Sequence, residues 1–555
     1  MKKMKMNGYC ALLSTVMLAG LLAACTAKNG DDAAKADSSD KYKADGPRLG
    51  YKYDPTVTIS MGRLNIPTIK YKEGENIQDN VHTRWMKNEL GIDLKTPWTV
   101  QGWDNLNAKV RLLLSANEEL PDLMLIQDPL LLEELIDAGK IMAVDDYFNK
   151  WASPTVKEAF SVDPAAWYVT KRNDKHYGIP TLTSGVPGGR LMFIRNDWLN
   201  KLGLQPPKTI DELEKVLDAF VTKDPGGNGA KNTIGLTAGL KNSLIEQTAD
   251  VSPIFGAYGA IPSQWMKLKN GEIGYGSVQP EIKPALAKLR EWMAKGYLTK
   301  EVALSDGTKA SEAFAAGKAG VMFGPHHTNL NSAKNLLKNV PGASYDFYAL
   351  PTGPDGKVGY AGEKSYSSVM VINKNFKYMD AFMLYLNSLY EFWNPQGTLF
   401  RYGLADGYDY VMVNGKPEYN VPGGKQEVKD KHLTNNRAYF PGKEAVIYKK
   451  LHEGGKAESS IEKEFEAFGP MQIKAGHLSN NVYKNTEVPT IFTGAATKTM
   501  KAKWERLEKM EKEMFFRIIY GEAPLEDYDK FVQDWKAGGG EQITKEVNDW
   551  YNSVK

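Results

Sequence analysis

The sequence predicts an α/β chain of two lobes with a helical extension at its C-terminal end. Three observations carry this reading. Short β-branched or aliphatic runs alternate with amphipathic helical stretches, the alternation restarts after the turn Tyr177-Gly178-Ile179-Pro180, and the closing stretch is charged and helical in pattern. At 555 residues the chain holds three to four units of about 150 residues, or two large ones. With 42% hydrophobic and 25% charged residues it is ordinary globular material, which excludes a disordered chain, a coiled coil and a collagen.

Taken in order, Val57-Thr-Ile-Ser-Met61 alternates and is β-branched, so it reads as a strand. Residues 80–89 read as a helix and 91–100 as a second strand. Residues 106–116 place Val110, Leu113 and Leu114 on one helical face. Pro121-Asp122 leads into a short buried strand, Leu123-Met-Leu-Ile126, followed by a helix over 130–138 that Gly139 closes. Helical crossovers between strands imply a mostly parallel sheet. The second block begins with the strand Arg190-Leu-Met-Phe-Ile-Arg195 and a helix over 196–201. Thr209 then caps the helix that starts at Ile210, with Glu212 completing a capping box. Helices follow at 280–295, 309–316 and 378–390, and strands at 321–323 and 370–372. Trp504, Phe515, Phe516, Trp535 and Trp550 are the expected anchors of the C-terminal helices.

The first residues form an address. Met1–Asn7 is basic, residues 11–24 are an apolar run too short to span a bilayer, and the run ends in Leu22-Ala23-Ala24-Cys25. That ending resembles the bacterial lipobox, in which the cysteine thiol is acylated. The chain has two cysteines, and Cys10 falls inside the leader, so the mature chain keeps Cys25 alone and forms no internal disulfide. Residues 26–48 carry no large aliphatic side chain and read as a flexible tether with a reach of roughly 25–30 Å. Lys+Arg number 70 and Asp+Glu 67. Removing a leader that carries Lys2, Lys3 and Lys5 leaves a neutral chain without the charge footprint of a nucleic-acid binder.

Several stretches, in this order and spacing, resemble the lipid-anchored extracellular solute-binding proteins of carbohydrate ABC importers, in the large branch of Bacillus- and Paenibacillus-like bacteria. They are Leu114-Ser-Ala-Asn-Glu-Glu-Leu-Pro-Asp122, Phe193 to Thr209, Ala316 to Pro325, and Ile518-Ile-Tyr-Gly521 through Trp535. The resemblance runs from about Lys43 to Lys555. It implies a periplasmic-binding-protein-like fold of type II with hinge crossovers near Ile179, Leu304 and Leu350. Expected units are a signal peptide (1–24), a tether (25–54), a first lobe (55–179 plus 305–350) and a second lobe (180–304 plus 351–555). The same resemblance implies an oligosaccharide ligand between the lobes, delivery to the transmembrane permease subunits of an importer, a membrane-anchored monomer on the outer face of the cell, and no required cofactor.

Sugars offer hydroxyl edges and apolar faces, so a site for them needs flat aromatic rings and planar polar groups. Residues that follow strand ends or sit in Gly/Pro loops are the candidates: Arg63, Trp103, Asp128, Tyr258, Trp265, His326, His327 and Tyr366. Trp85, Trp151, Trp292 and Trp504 lie on helical stripes and read as core. His326 and His327 point to opposite sides of an extended segment and do not chelate one ion. The loop that starts at Asp224 places Asp224, Asn228 and Asn232 at positions 1, 5 and 9 of a calcium loop, with Ala230 at position 7 and Gly229 at position 6. It resembles the calcium loop of the family's alginate-oligosaccharide-binding members, but Gly226 and Gly235 stand where positions 3 and 12 supply oxygen ligands. A Gly/Asn-rich turn without an ion is the alternative.

The sequence carries no nucleophile elbow, no phosphate-binding loop, no dinucleotide fingerprint and no zinc-protease motif. An extracellular carbohydrate-active enzyme and a peptide-binding or signalling receptor on the same fold are the alternative readings.

Overall fold

The computed structural model describes residues 50–555 apart from 66–70, 72, 184–188, 230–231, 242–243, 392–409, 415, 420–437, 439 and 485. The leader, Cys25 and most of the tether therefore lie outside the described residues.

Two sheets organise two lobes. In the first, Leu123–Ile126, Tyr366–Ile372 and Ile179–Leu182 lie side by side, the middle strand antiparallel to both neighbours. Val57–Ser60 pairs in parallel with Ile92–Lys95, and Met61 bridges to Leu123. In the second, the order is Ile234–Leu236, Ala319–Gly324, Leu191–Arg195, Tyr345–Tyr348. The first pair is parallel and the other two are antiparallel.

The sheets are thus mixed, where helical crossovers alone predict parallel ones. The two antiparallel strands, Leu191–Arg195 and Tyr366–Ile372, each begin directly after the chain has crossed from the other lobe. A strand entering its sheet from the cleft runs away from the cleft, whereas a strand reached by a helical crossover runs toward it.

The lobe boundaries expected from sequence need correcting. Residues 305–350 do not join 55–179, because Ala319–Gly324 and Tyr345–Tyr348 pair with Leu191–Arg195 in the second lobe. Tyr366–Ile372 and the helix Met379–Tyr390 pack with the first lobe, as do Phe440, Ile447, Tyr448, Ile461 and Phe465. The chain accordingly leaves the first lobe after Thr183 and is in the second by Gly189, crosses back at 362–365, and crosses a third time through the helix Pro470–His477. That helix follows Phe468 of the first core and places Ala475 in the second lobe's cluster. Leu304 is instead an exposed end of the short helix Val302–Leu304, and Leu350 belongs to the second lobe's core.

Local chemistry explains the elements. Asp128 caps the helix Pro129–Asp137 by accepting the Leu130 N–H at 2.9 Å. Thr209 caps Ile210–Lys223 through the Glu212 N–H at 3.2 Å, and the Glu212 carboxylate takes the Lys208 N–H rather than that of Thr209, so the expected box is shifted by one residue. The C-terminal helices belong to the second lobe. Lys498–Ile519 buries Glu511 among three hydroxyl donors, Ser263 Oγ and Ser277 Oγ at 2.7 Å and Tyr275 OH at 2.6 Å. Three hydroxyl donors satisfy the buried carboxyl group, whose pKa burial still raises, and they pin the helix to the hairpin Trp265–Lys267/Ile273–Tyr275.

Trp265 lies in that hairpin and is 5% exposed. Its ring stacks on Trp504 with centroids 5.9 Å apart and meets Tyr275 at 5.1 Å. Trp265→Ala therefore opens a cavity in the second lobe. Urea unfolding should show a loss of about 3–5 kcal/mol, and a loss below about 1 kcal/mol would place the ring outside the core.

Candidate functional site

The strand directions bring one end of each sheet to the line of crossings. On the first lobe this edge carries Gln127 and Asp128 after Leu123–Ile126, Thr183 after Ile179–Leu182, and Glu363, Lys364 and Ser365 ahead of Tyr366–Ile372. Arg63 opens the short strand Arg63–Leu64, which pairs in parallel with Thr99–Val100, and Trp103 follows that second strand. On the second lobe the edge carries Arg190 ahead of Leu191–Arg195 and Pro325, His326 and His327 after Ala319–Gly324. Two polar strand edges facing each other across a hinge form a cleft of the kind in which α/β folds bind ligands.

The hinge is held by a buried ion pair. Arg190, with a side chain 3% exposed, donates from Nε to Asp250 Oδ2 at 3.3 Å and from Nη2 to the Glu246 carbonyl at 3.4 Å, while its guanidinium lies 5.5 Å from the centre of the Tyr360 ring. Asp250 also accepts from Ser252 Oγ at 2.6 Å and Ser252 N at 2.9 Å, and Ser252 Oγ in turn accepts the Ala361 N–H at 2.9 Å. The first crossing is thereby tied to the second. Close approach of the backbone makes this possible: a Cβ on Gly256 would lie 2.1 Å from the Gly359 carbonyl oxygen, so the helix Ser252–Tyr258 sits against the segment that leads into the second crossing only with glycine there.

The sequence candidates divide. Arg63, half-buried, donates to the Ile77 carbonyl at 2.7 Å, and burial holds its pKa below the usual value beside the phenols of Tyr385 and Tyr71. Trp103 is half-buried as the first residue of the helix Trp103–Ser115. Asp128 lies on the edge, but its carboxylate is engaged by Leu130 N and by Arg111 at 2.6 Å. His327 is half-buried at the cleft edge near Arg190 and Glu363, and burial lowers its pKa.

His326 turns the other way. It is buried, its ring meets Tyr448 edge-on at 5.3 Å, and desolvation drives its pKa to about 3, so it stays neutral in the hinge. Three candidates are corrected. Trp265 is core, as described above. Tyr366 is 3% exposed and its hydroxyl donates to the Thr493 carbonyl at 3.3 Å. Tyr258 packs against the second lobe's core on the side of Asp211, Glu214, Lys288 and Glu291, on helices away from the cleft edge. A Gly/Pro loop in the sequence marks a tight turn as readily as a binding edge, and a tight turn buries its aromatics.

The loop after Ile210–Lys223 is closed by its own hydrogen bonds. Asp224 accepts from Asn228 N at 3.0 Å, Gly229 N at 2.9 Å and the Thr233 hydroxyl. Asn228 aims its amide nitrogen at Thr233 Oγ1 and the Gly317 carbonyl, and Asn232 donates to the Asn228 carbonyl. Gly229 has φ +91°, as the turn of a calcium loop requires, but Gly235 lies in the strand Ile234–Leu236 against Leu217. The loop offers one carboxylate, whose oxygens accept three hydrogen bonds, and Gly226 and Gly235 bring no side-chain oxygen, so the donor set is poorer than a calcium loop's. Ala230 lies outside the described residues. Among the described residues no three acidic, histidine or cysteine side chains converge as metal ligands.

Sequence reasoning did not select Arg190, Asp250, Lys364 or Glu487. Arg190 carried a signal, a basic residue heading the apolar run Leu191–Ile194. Glu487 did not, because its role comes from the pairing of Glu487–Val488 with Tyr360–Ala361 beside the second crossing. It accepts the Glu363 N–H at 3.0 Å. Burial, reinforced by the Glu363 and Asp163 charges, pushes its carboxyl up to about 7. The folded state therefore keeps a proton that the unfolded chain gives up near its ordinary value. This contribution to stability is present at low pH and is lost as pH rises from about 4.5 to about 7. Glu487→Gln should flatten the melting temperature over that window. An unchanged slope would contradict the assignment.

A family model described as "Bacterial extracellular solute-binding protein" matches residues 70–391. Lipoprotein LipO of Bacillus subtilis (strain 168) is 25% identical over 479 residues, covering 84% of this chain and 87% of that protein. The fructooligosaccharide ABC transporter substrate-binding protein FusA of Streptococcus pneumoniae serotype 4 is 26% identical over 420 residues, covering 71% and 72%. Among solved structures, an HMO-binding, ABC-transporter-associated solute-binding protein from Bifidobacterium longum infantis shares the fold, with a TM-score of 0.65 at 17% identity over 90% of this chain and 99% of that one. With two mixed α/β sheets meeting at a clasped line of crossings, and with more than half its length matched, this chain belongs to the bacterial extracellular solute-binding proteins.

Proposed function

We propose that the protein captures an oligosaccharide between its lobes outside the cell and hands it unchanged to the permease of an ABC importer. The observation that carries this is the pair of polar strand edges flanking a hinge whose crossings are tied by Arg190, Asp250 and Ser252. Such a hinge lets two rigid lobes close, and closure gains contacts when ligand fills the cleft. The carbohydrate ligand is supported by FusA, named for fructooligosaccharides. Trp103 and His327 offer flat rings at the two edges, and Gln127 and Thr183 offer hydrogen-bonding groups.

No step of bond cleavage is assigned to these residues. Asp128 is engaged by Arg111 and by the cap of the helix Pro129–Asp137. Titration calorimetry against a panel of plant and microbial oligosaccharides should find at least one that binds at micromolar concentration or better and is recovered intact. Cleavage of the bound sugar would favour the enzyme, and no binding to any glycan would remove the carbohydrate reading.

Attachment to the membrane through acylated Cys25 is the second part of the proposal. It rests on Leu22-Ala23-Ala24-Cys25, on the likeness to a lipoprotein, and on the finding that no helix among the described residues is long and apolar enough to cross a membrane. Cys25→Ser should release the protein to the medium or leave it unprocessed. A processed and still membrane-bound variant would contradict it.

A further inference from the structure

The second crossing, 362–365, places successive side chains on alternate sides. Glu363 faces Arg190, with Oε1 3.9 Å from Nη1, and Ser365 donates its hydroxyl to Asp163. Tyr366 goes into the core. Lys364, between them, emerges into solvent at the cleft edge. Its carbonyl is held by the Thr183 hydroxyl at 3.0 Å, and the exposed Gln127 and Ser367 stand beside it, joined by a bond of 3.4 Å from Gln127 Nε2 to the Ser367 carbonyl.

Among the described residues the Lys364 ammonium has neither an ion pair nor a hydrogen bond. The acids along the same edge are all engaged. Asp128 pairs with Arg111 at 2.6 Å, Glu363 lies against Arg190, and Asp163 takes Ser365 as well as the Ala165 N–H at 3.1 Å.

From this placement we propose that Lys364 recognises a carboxylate on the ligand, and that the oligosaccharide the protein takes is acidic, built with uronic acid units. The inference rests on the carbohydrate reading above and narrows it to a substrate class. Its physical basis is a charge mismatch at one point. Lys364 is exposed, yet the lobes on either side displace enough water to lower its pKa, and no neighbouring charge offsets that loss. A cation in that position is left without compensation until an anion arrives. Lobe closure removes more water and strengthens the attraction further. A neutral sugar would leave the ammonium desolvated and unpaired on closure, which selects against it.

The test is calorimetry and thermal shift on the full mature chain. The ligands are tetrasaccharides of galacturonate, guluronate and hyaluronan type, each beside its carboxyl-reduced counterpart, together with neutral fructo-, malto- and xylo-oligosaccharides. The expected result is that the tightest ligand is a uronate. It should bind at least about tenfold more tightly than its reduced form in low salt, with the ratio shrinking as salt rises. Lys364→Gln should erase that ratio by weakening the uronate alone, Lys364→Arg should keep most of it, and the melting temperature of the free protein should not move. A neutral oligosaccharide as the tightest ligand, or equal loss of acidic and reduced forms in Lys364→Gln, overturns the acidic specificity and leaves the carbohydrate reading standing. Absence of binding to every glycan in the panel overturns both.

Discussion

A single buried arginine sets the constraint on which the architecture depends. Arg190 stands where the chain first enters the second lobe, and its guanidinium is almost wholly removed from water. A charge in that position is tolerable only when paired and hydrogen-bonded. Asp250 supplies the pair and Ser252 carries it on to the backbone of the second crossing. Removing one partner would leave the other charge buried alone, a change that typically costs about 3–5 kcal/mol. The clasp therefore fixes where the first two crossings meet, which is the line about which the proposed closure would turn.

Everything that makes a cleft follows from that line. Strands that begin at it run away from it, and their neighbours run toward it, so both sheets present loop ends and strand starts to the same space. Each lobe keeps its own apolar cluster, so neither needs the other for its core. A third link, the chain of side chains Tyr448, Gln472, Asn329 and Tyr345, joins the lobes through polar contacts between 2.6 and 3.2 Å. Polar links of this kind give orientation without the large apolar contact that would lock two domains together.

How much of this was legible in the sequence depended on whether a feature is local. The helix cap at Thr209, the apolar stripe with Val110 and Leu113, and the strand Leu123–Ile126 were readable because neighbours in sequence decide them. The lobe membership of 305–350 was not, because a buried strand carries no mark of which sheet it joins. Ala319–Gly324 is apolar on both faces and would suit either. Trp265 and Tyr366 misled for a related reason. Their surroundings in sequence look like loops, whereas Trp504 and Thr493, which cover them, come from far along the chain. Lys364 has no local signature, and its character comes from the acids nearby having other partners.

The measurement that bears most directly on the central claim is the distance between lobes with the clasp intact. Leu112 on the first lobe and Leu337 on the second are 58% and 47% exposed, and the sequence has cysteine only at Cys10 and Cys25. Spin labels at Leu112→Cys and Leu337→Cys, in a background carrying Cys10→Ser and Cys25→Ser, would report the separation by pulsed electron resonance, with hydrogen exchange at Ala361 as the readout for the clasp. The account predicts a distance distribution that shortens when ligand binds, while the Ala361 amide stays protected throughout. An unchanged distance, or a shortening accompanied by loss of protection at Ala361, would contradict it.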